Sequence, residues 1–400
     1  MLAENKFHMK YNKYLAIVLI FVLLNCNEKV DNSNTIDIEQ AFHKAQEIVL
    51  SDFVEHLEYI VLESEQPIDR NLIVYSSANY LICTAVRQIY VFDRHTGKFI
   101  REIGKYGNGP GEYSYPIYFD SKTQHVIAFK GDHLLEFDLN GKLIRTIVQP
   151  KSERGMMSGR ILLDTDTVAY FIGNDRGNVK DRILIADEYG NVINSFGHIE
   201  SFIPQIRVIQ NSPPVFYHYG KNTMFFELCV DTIYLVTKDA LIPHYHLNMG
   251  PYKPPYEKQN ELFIPPDPLI NQYFWFRNIG ETEHFLFFDF DHTKRNSTNS
   301  SSGSFFGYYD KKRETVKIAD IDKDGRRIIN DIDHFGAIQL SSWTINNKGH
   351  EMIFYIEAVD IVTWFKQNPQ KAKELPAHLL KLSTLNENDN PIVVIAKLKQ

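Results

Sequence analysis

The chain has little that would let it cross a membrane, bind nucleic acid or declare a reaction. Its longest apolar run is the ten residues from Leu15 to Leu24, about half of the ~20 that a helical span requires. The formal net charge is −7 and no block of basic residues is present, which argues against nucleic acid as a partner. There is no Gly-x-Ser-x-Gly nucleophile elbow. The one glycine-rich loop, Gly104 to Gly111, lacks the Gly-Lys-Ser/Thr ending and the following helix that a phosphate cradle needs, and is read as structural. Past residue 60 no linker divides the chain into separate domains.

What is present is a repeat. Tyr90-Val91-Phe92 suits a strand, Asp93 to Gly97 suits a tight reversal, and Lys98 to Ile103 suits an antiparallel return. The pattern recurs at Glu136 to Arg145 and at Ile185 to Ile193. Degraded copies follow at Tyr234 to Ile242, without glycine, and at Tyr308 to Val316. Asp93, Asp138 and Asp187 stand 45 and 49 residues apart (93 to 138, 138 to 187). Spacings of about 40–50 residues with several strands per unit are those of propeller blades. The chain is therefore expected to be all-β, a six-bladed β-propeller of four-stranded antiparallel blades. Aromatic content of 13% fits an all-β, exported protein.

The blades are expected at about 71–104, 117–148, 160–196, 214–247 and 273–319, with a sixth from about 337. The fifth carries a polar insertion, Asp291 to Ser304, whose composition predicts a flexible loop. The sixth is interrupted by a short helical insertion within Glu357 to Leu382 and ends in a strand at Pro391 to Leu398. A ring of blades needs its ends joined, because an open edge exposes unpaired backbone groups. The N-terminal strand Leu57 to Leu62 is expected to close the last blade from outside. Residues 36–50 could form a short helix or an edge strand. Cys83 and Cys229 fall in non-adjacent blades; a disulfide needs Cα atoms within about 7 Å, so both are read as buried free thiols.

Ahead of the blades, Lys10, Lys13 and the apolar run read as a signal peptide. Glu4 interrupts the positive region, which leaves Met9 open as an alternative start. Leu23-Leu24-Asn25-Cys26 resembles a bacterial lipobox, with Asn25 departing from the small residue usual there. The resulting division is 1–25 lipoprotein signal peptide, 26–50 tether and 51–400 propeller, with lipidation at Cys26. Removing Lys6, Lys10, Lys13 and Glu4 takes the charge from −7 to about −9.

The hairpin Phe92 to Ile103, the loop Gly107-x-Gly-Pro-Gly-Glu-Tyr113, the strand Glu58 to Glu63 and the terminus Asn390 to Lys399 together resemble the six-bladed β-propeller lipoproteins common in Bacteroidetes, relatives of NHL-repeat propellers. The resemblance spans residues 57–400. It implies an envelope lipoprotein, periplasmic or surface-facing, held to the membrane by its acyl anchor.

Candidate chemistry is sparse. His244 and His246 lie two apart, but zinc needs a third ligand. Asp289, Asp291 and His292, with Asp310, lack a calcium-loop pattern and are read as a solvated turn. Asp166-Thr167-Val168 and Asp231-Thr232-Ile233 resemble O-glycosylation acceptors, but turn chemistry before a strand is the favoured reading of both. No catalytic residue, metal site or cofactor is expected. The leading expectation is a non-catalytic binding or scaffold propeller for a protein or glycan partner. The alternative is a metal-dependent hydrolase or lyase with its site at the channel mouth. The expected partner face is the loop after blade one, where Tyr106, Asn108, Glu112 and Tyr113, with Arg87 nearby, either meet a ligand or fasten one blade to the next.

Overall fold

The computed structural model describes residues 34–400 except 70, 152–156, 175, 205–212, 260, 263–268, 297–298, 321–327, 337–339 and 341. The unit from Ile36 to Gln400 is a six-bladed β-propeller. Five blades form from consecutive strands, each running from an inner strand at the channel to an outer one. Their inner strands are Ile73–Ser76, Tyr115–Asp120, Met157–Leu162, Val215–Tyr219 and Trp275–Glu281. Blade six has the order Thr344–Ile345, Glu351–Ile356, Ile392–Leu398 and Val54–Val61. Its outer strand comes from the N-terminal side, as the closure argument requires, with Tyr59 opposite Val394 and Val61 opposite Ile392.

The sequence accounts for the hairpins through local chemistry. The Asp93 carboxylate accepts from the N–H groups of His95 (3.0 Å) and Thr96 (2.8 Å). Asp138 does the same for Asn140 and Lys142, and Asp187 for Tyr189 and Asn191. Each aspartate thus holds its own turn in place. Where the fourth copy has lost the aspartate, the Thr237 hydroxyl accepts from Ala240 N–H at 2.9 Å.

Middle strands are buried on both faces, since each blade packs against two neighbours; Thr167–Ile172 is buried throughout. Outer strands such as Val192–Gly197 are largely exposed. Apolar layers between blades form the core. Ile60, Leu62, Phe92, Val393 and Ile395 join blades six and one. Between blades five and six, Phe287, Phe306, Trp343 and Phe354 pack with Phe53 and with Ile361 of the helix Ala358–Gln367. That helix lies in the helical insertion expected between the second and third strands of blade six.

Both alternatives for residues 36–50 occur. A helix spans Ile38–His43, and the edge strands are Thr35–Asp37 beside blade four and Ile48–Val49 parallel to Ile328–Ile329. The expected flexible loop at Asp291 to Ser304 is corrected. Strands Phe285–Asn296 and Asn299–Asp310 stay paired across it, from Asp291 opposite Ser304 to Asn296 opposite Asn299. Polar composition describes side chains, whereas the ladder is built from backbone groups already in register at Phe290 and Phe305. Cys83 and Cys229 are buried free thiols, and burial pushes both thiol pKa values up.

Candidate functional site

The inner strands of all six blades enclose a central cavity of about 570 Å³, within the ~300–1,000 Å³ typical of small-molecule sites. Three of these strands break register at the channel. The shifts fall between Pro116 and Tyr118, between Met157 and Gly159, and between Phe276 and Asn278. A bulge inserts an extra residue and re-aims its neighbours. Here the bulges accompany Tyr118, Ser158, Arg160 and Arg277, all of which line the cavity. Gly159 lets the next blade approach, since a Cβ there would stand 2.5 Å from Pro214.

One wall carries a network of paired charges. Glu281, with a fully buried side chain, accepts from Lys311 Nζ at 2.6 Å and from Tyr217 at 3.2 Å, and lies 3.0 Å from His244 Nε2. Arg277 lies 3.2 Å from Asp289 and 3.4 Å from Asp291. Burial pushes the Asp289 carboxyl up to about 6; Arg277 and Trp343 pull it down, and Asp291 adds to the rise. Burial, with Lys122 nearby, pushes His218 down to about 4, so its ring is neutral at pH 7. The solvated-turn reading of Asp289 and Asp291 is therefore corrected: both lie in a strand, and Asp289 is buried against Arg277. The long ladder carries this segment inward, which composition did not signal.

The neighbouring wall, from blades two and three, holds Arg160. Its Nη1 meets the Tyr118 hydroxyl, and its guanidinium lies 5.9 Å from the rings of both Tyr118 and Tyr170. At the mouth reached by the turns after the inner strands, Ser121 of blade two meets Asn347 of blade six.

The two histidines face different partners. His244 joins the Glu281 network, and His246 lies 3.7 Å from Asp231. Asp310 holds its own turn through Lys312 and Arg313 N–H groups instead of converging on Asp289. Thr167 is buried at the start of its strand. Among the described residues, no three His, Cys, Asp or Glu side chains are placed to hold a metal ion.

Of the residues expected at the partner face, Tyr106, Asn108, Glu112 and Tyr113 lie in the loop after blade one and Arg87 in the adjacent turn between Tyr80–Ala85 and Gln88–Asp93; none of them lines the cavity. Tyr113 is completely buried and donates from its hydroxyl to Arg87 O at 3.1 Å. The Glu112 carboxylate accepts from Gly109 N–H at 2.6 Å, and Lys130 Nζ donates to Glu112 O at 2.7 Å. These two residues hold the loop from below. Tyr106 is half exposed with the Arg87 guanidinium 5.5 Å from its ring centre, and Asn108 is exposed. Cys26 lies outside the described residues. The cavity residues were missed because they come from six separate strands. The one local signal was the Met157-Ser158-Gly159-Arg160 segment, where a glycine interrupts a strand.

The profile of the family described as domain of unknown function DUF4934 matches residues 33–397. Among solved structures, a protein of Bacteroides fragilis inferred to be exported superposes with a TM-score of 0.64 at 16% identity, covering 86% of this chain and 95% of its own. A Bacteroides caccae protein of unknown function gives 0.36 at 12% identity, covering 69% and 82%. The Pan2 WD40 domain of Neurospora crassa gives 0.39 at 8% identity, covering 84% and 90%. The first similarity shows the fold. No curated protein matches the chain.

Proposed function

The chain belongs to the DUF4934 family, and we propose that it is a non-catalytic binding propeller exported to the cell envelope and tethered there through an acylated Cys26, as an outer-membrane lipoprotein. Its partner is a protein or glycan of the envelope. The observation that carries this reading is the loop after blade one. Tyr113 and Glu112 fix its backbone from within, which leaves Tyr106 and Asn108 exposed with Arg87 against the Tyr106 ring. A rigid aromatic ring beside a cation is a common recognition anchor, because little entropy is lost when it is covered. The inferred export of the Bacteroides fragilis relative and the lipobox-like Leu23 to Cys26 support the envelope location.

Two arms test the reading. A Cys26→Ser chain should move from the membrane to the soluble fraction, because the acyl chains supply the anchorage; retention in the membrane removes the lipoprotein part. Crosslinking in intact cells should capture an envelope partner that Tyr106→Ala loses without a change in melting temperature. Unchanged capture by Tyr106→Ala and Asn108→Ala would place the partner surface elsewhere.

A further inference from the structure

Among the described residues, four arginines lie in the blades or line the channel, and three of them, Arg277 included, have carboxylate partners. Arg94 makes a forked pair with Glu351 at 2.8 and 3.0 Å, and Arg182 Nε lies 2.6 Å from Glu227. Arg160 has none among the described residues. Its polar neighbours are the neutral phenols of Tyr118, which its Nη1 meets, and Tyr170, and its Nε has no partner. The Asp120 carboxylate, whose field reaches Arg160, already accepts from the Lys122 and Thr123 N–H groups of its own turn. A guanidinium does not discharge in a protein, and Arg160, part-buried in the channel wall with its Nε shielded from solvent, holds its charge there without a hydrogen-bonded counter-ion. Such a group in a native fold calls for an explanation, and an absent anion is the direct one.

A second observation points the same way. The Ser158 hydroxyl is buried, lines the same cavity and has no hydrogen-bond partner. It sits at the register break two residues before Arg160, so one bulge brings both groups to the channel wall.

The charge balance limits what fits. Glu281 and Asp289 already face Lys311 and Arg277, and Asp120 spends its hydrogen bonds on its own turn, so the Arg160 fork is the cationic group left without a carboxylate hydrogen-bonded to it. A dianion such as phosphate would leave negative charge facing those carboxylates. A carboxylate supplies one charge and the planar geometry a guanidinium fork accepts. The remaining lining alternates aromatic faces (Tyr75, Phe119, Phe216) with hydrogen-bonding groups (Ser76, Asn278), which suits a hydroxylated ring. We infer that the central channel binds a small sugar acid, its carboxylate held by Arg160 and Ser158. This goes beyond the partner face proposed above and uses none of its residues.

Titration calorimetry on the full-length chain in detergent, with D-glucuronate, D-glucose and inorganic phosphate, tests the inference. Glucuronate should bind at low millimolar concentration or tighter, and glucose and phosphate at least about tenfold more weakly. Arg160→Met should lose glucuronate binding while melting, without ligand, at or above the parent temperature, because a stranded charge has been removed. Arg160→Lys keeps the charge and loses the fork, so it should keep the fold and bind about fivefold or more weakly. No binding of glucuronate, equal binding of phosphate or glucose, or undiminished binding by either Arg160 variant would overturn it. Failure of Arg160→Met to fold, with normal binding by Arg160→Lys, would make Arg160 a structural residue and also overturn it. Neither Cys26 nor Tyr106 enters these measurements, so their outcome is independent of the envelope reading.

Discussion

Gly97 shows how much one missing side chain can carry. Its φ is +71°, and a Cβ there would stand 1.9 Å from Val61 O on the strand that closes the ring. Gly97 O also accepts from Glu63 N–H at 2.9 Å, so the turn and the closing segment are bonded backbone to backbone. Gly131 has a similar φ of +61° with nothing within 4 Å of a Cβ. Gly131→Ala should therefore cost only the conformational penalty, about 1 kcal/mol. Gly97→Ala should cost about 3 kcal/mol or more, because backbone atoms must move. Urea midpoints of the two variants check this, and equal losses would remove the steric part of the argument. Asp289 makes the companion case for charge. Its folded carboxyl titrates near 6, above the ordinary value of about 3.9. The folded state therefore holds a proton that the unfolded chain has released over that interval. Asp289 stabilises most below about pH 4, loses that contribution as pH rises to 6, and changes little beyond, a span on the order of 3 kcal/mol. Asp289→Asn cannot ionise. Its unfolding free energy relative to the parent should thus increase between pH 4 and 6.5, and a constant difference would mean that Asp289 titrates normally.

At the scale of the element, what was legible in the sequence is what forms from neighbouring residues. The Asp-to-Gly turns could be read because Asp93, Asp138 and Asp187 bond to groups two to four residues away, and the spacing of those turns gave the blade count. Even the degraded fifth copy keeps the device. Asp310 accepts from Lys312 and Arg313 N–H groups, and Glu314 takes the positive φ, +52°, in place of glycine. What was not legible depends on two strands at once. The paired extension from Asp291 to Ser304 looks like a linker by composition, but its backbone continues a ladder set by the phenylalanines before it. The bulges near Tyr118, Ser158 and Arg277 are mismatches between partners, so neither strand announces them alone. The loop after blade one was half legible. Its glycines and Tyr113 could be picked out, but only the packing shows Tyr113 beneath the loop and Tyr106 outside it.

At the scale of the whole molecule, the channel is illegible in sequence because Tyr118, Arg160, Arg277 and Asp289 come from three blades and converge only when the ring closes. Closure therefore governs both stability and the cavity. It depends on a strand from one end of the chain. Val54–Val61 bonds along the outer side of Ile392–Leu398, and Asn390 locks the segment that follows. Its Nδ2 donates to Glu63 O (2.7 Å) and Gln66 O (2.8 Å), and its Oδ1 accepts from Ile68 N–H at 2.9 Å. Arg94 of blade one and Glu351 of blade six pair across the same seam, with Lys397 as a third member. Deleting residues 1–64 would remove Phe53, Leu57, Ile60 and Leu62 from two apolar clusters. It would also leave the Ile392–Leu398 backbone as an open edge beside apolar side chains, the arrangement that recruits other chains. The Arg94–Glu351 pair cannot replace this strand, because a buried ion pair adds little net stability once its desolvation is counted. The truncated chain is expected to elute as oligomers in size-exclusion chromatography and to lose the single steep urea transition of the parent, followed by tryptophan fluorescence. A monomer that unfolds at the parent midpoint would mean that other strands close the ring.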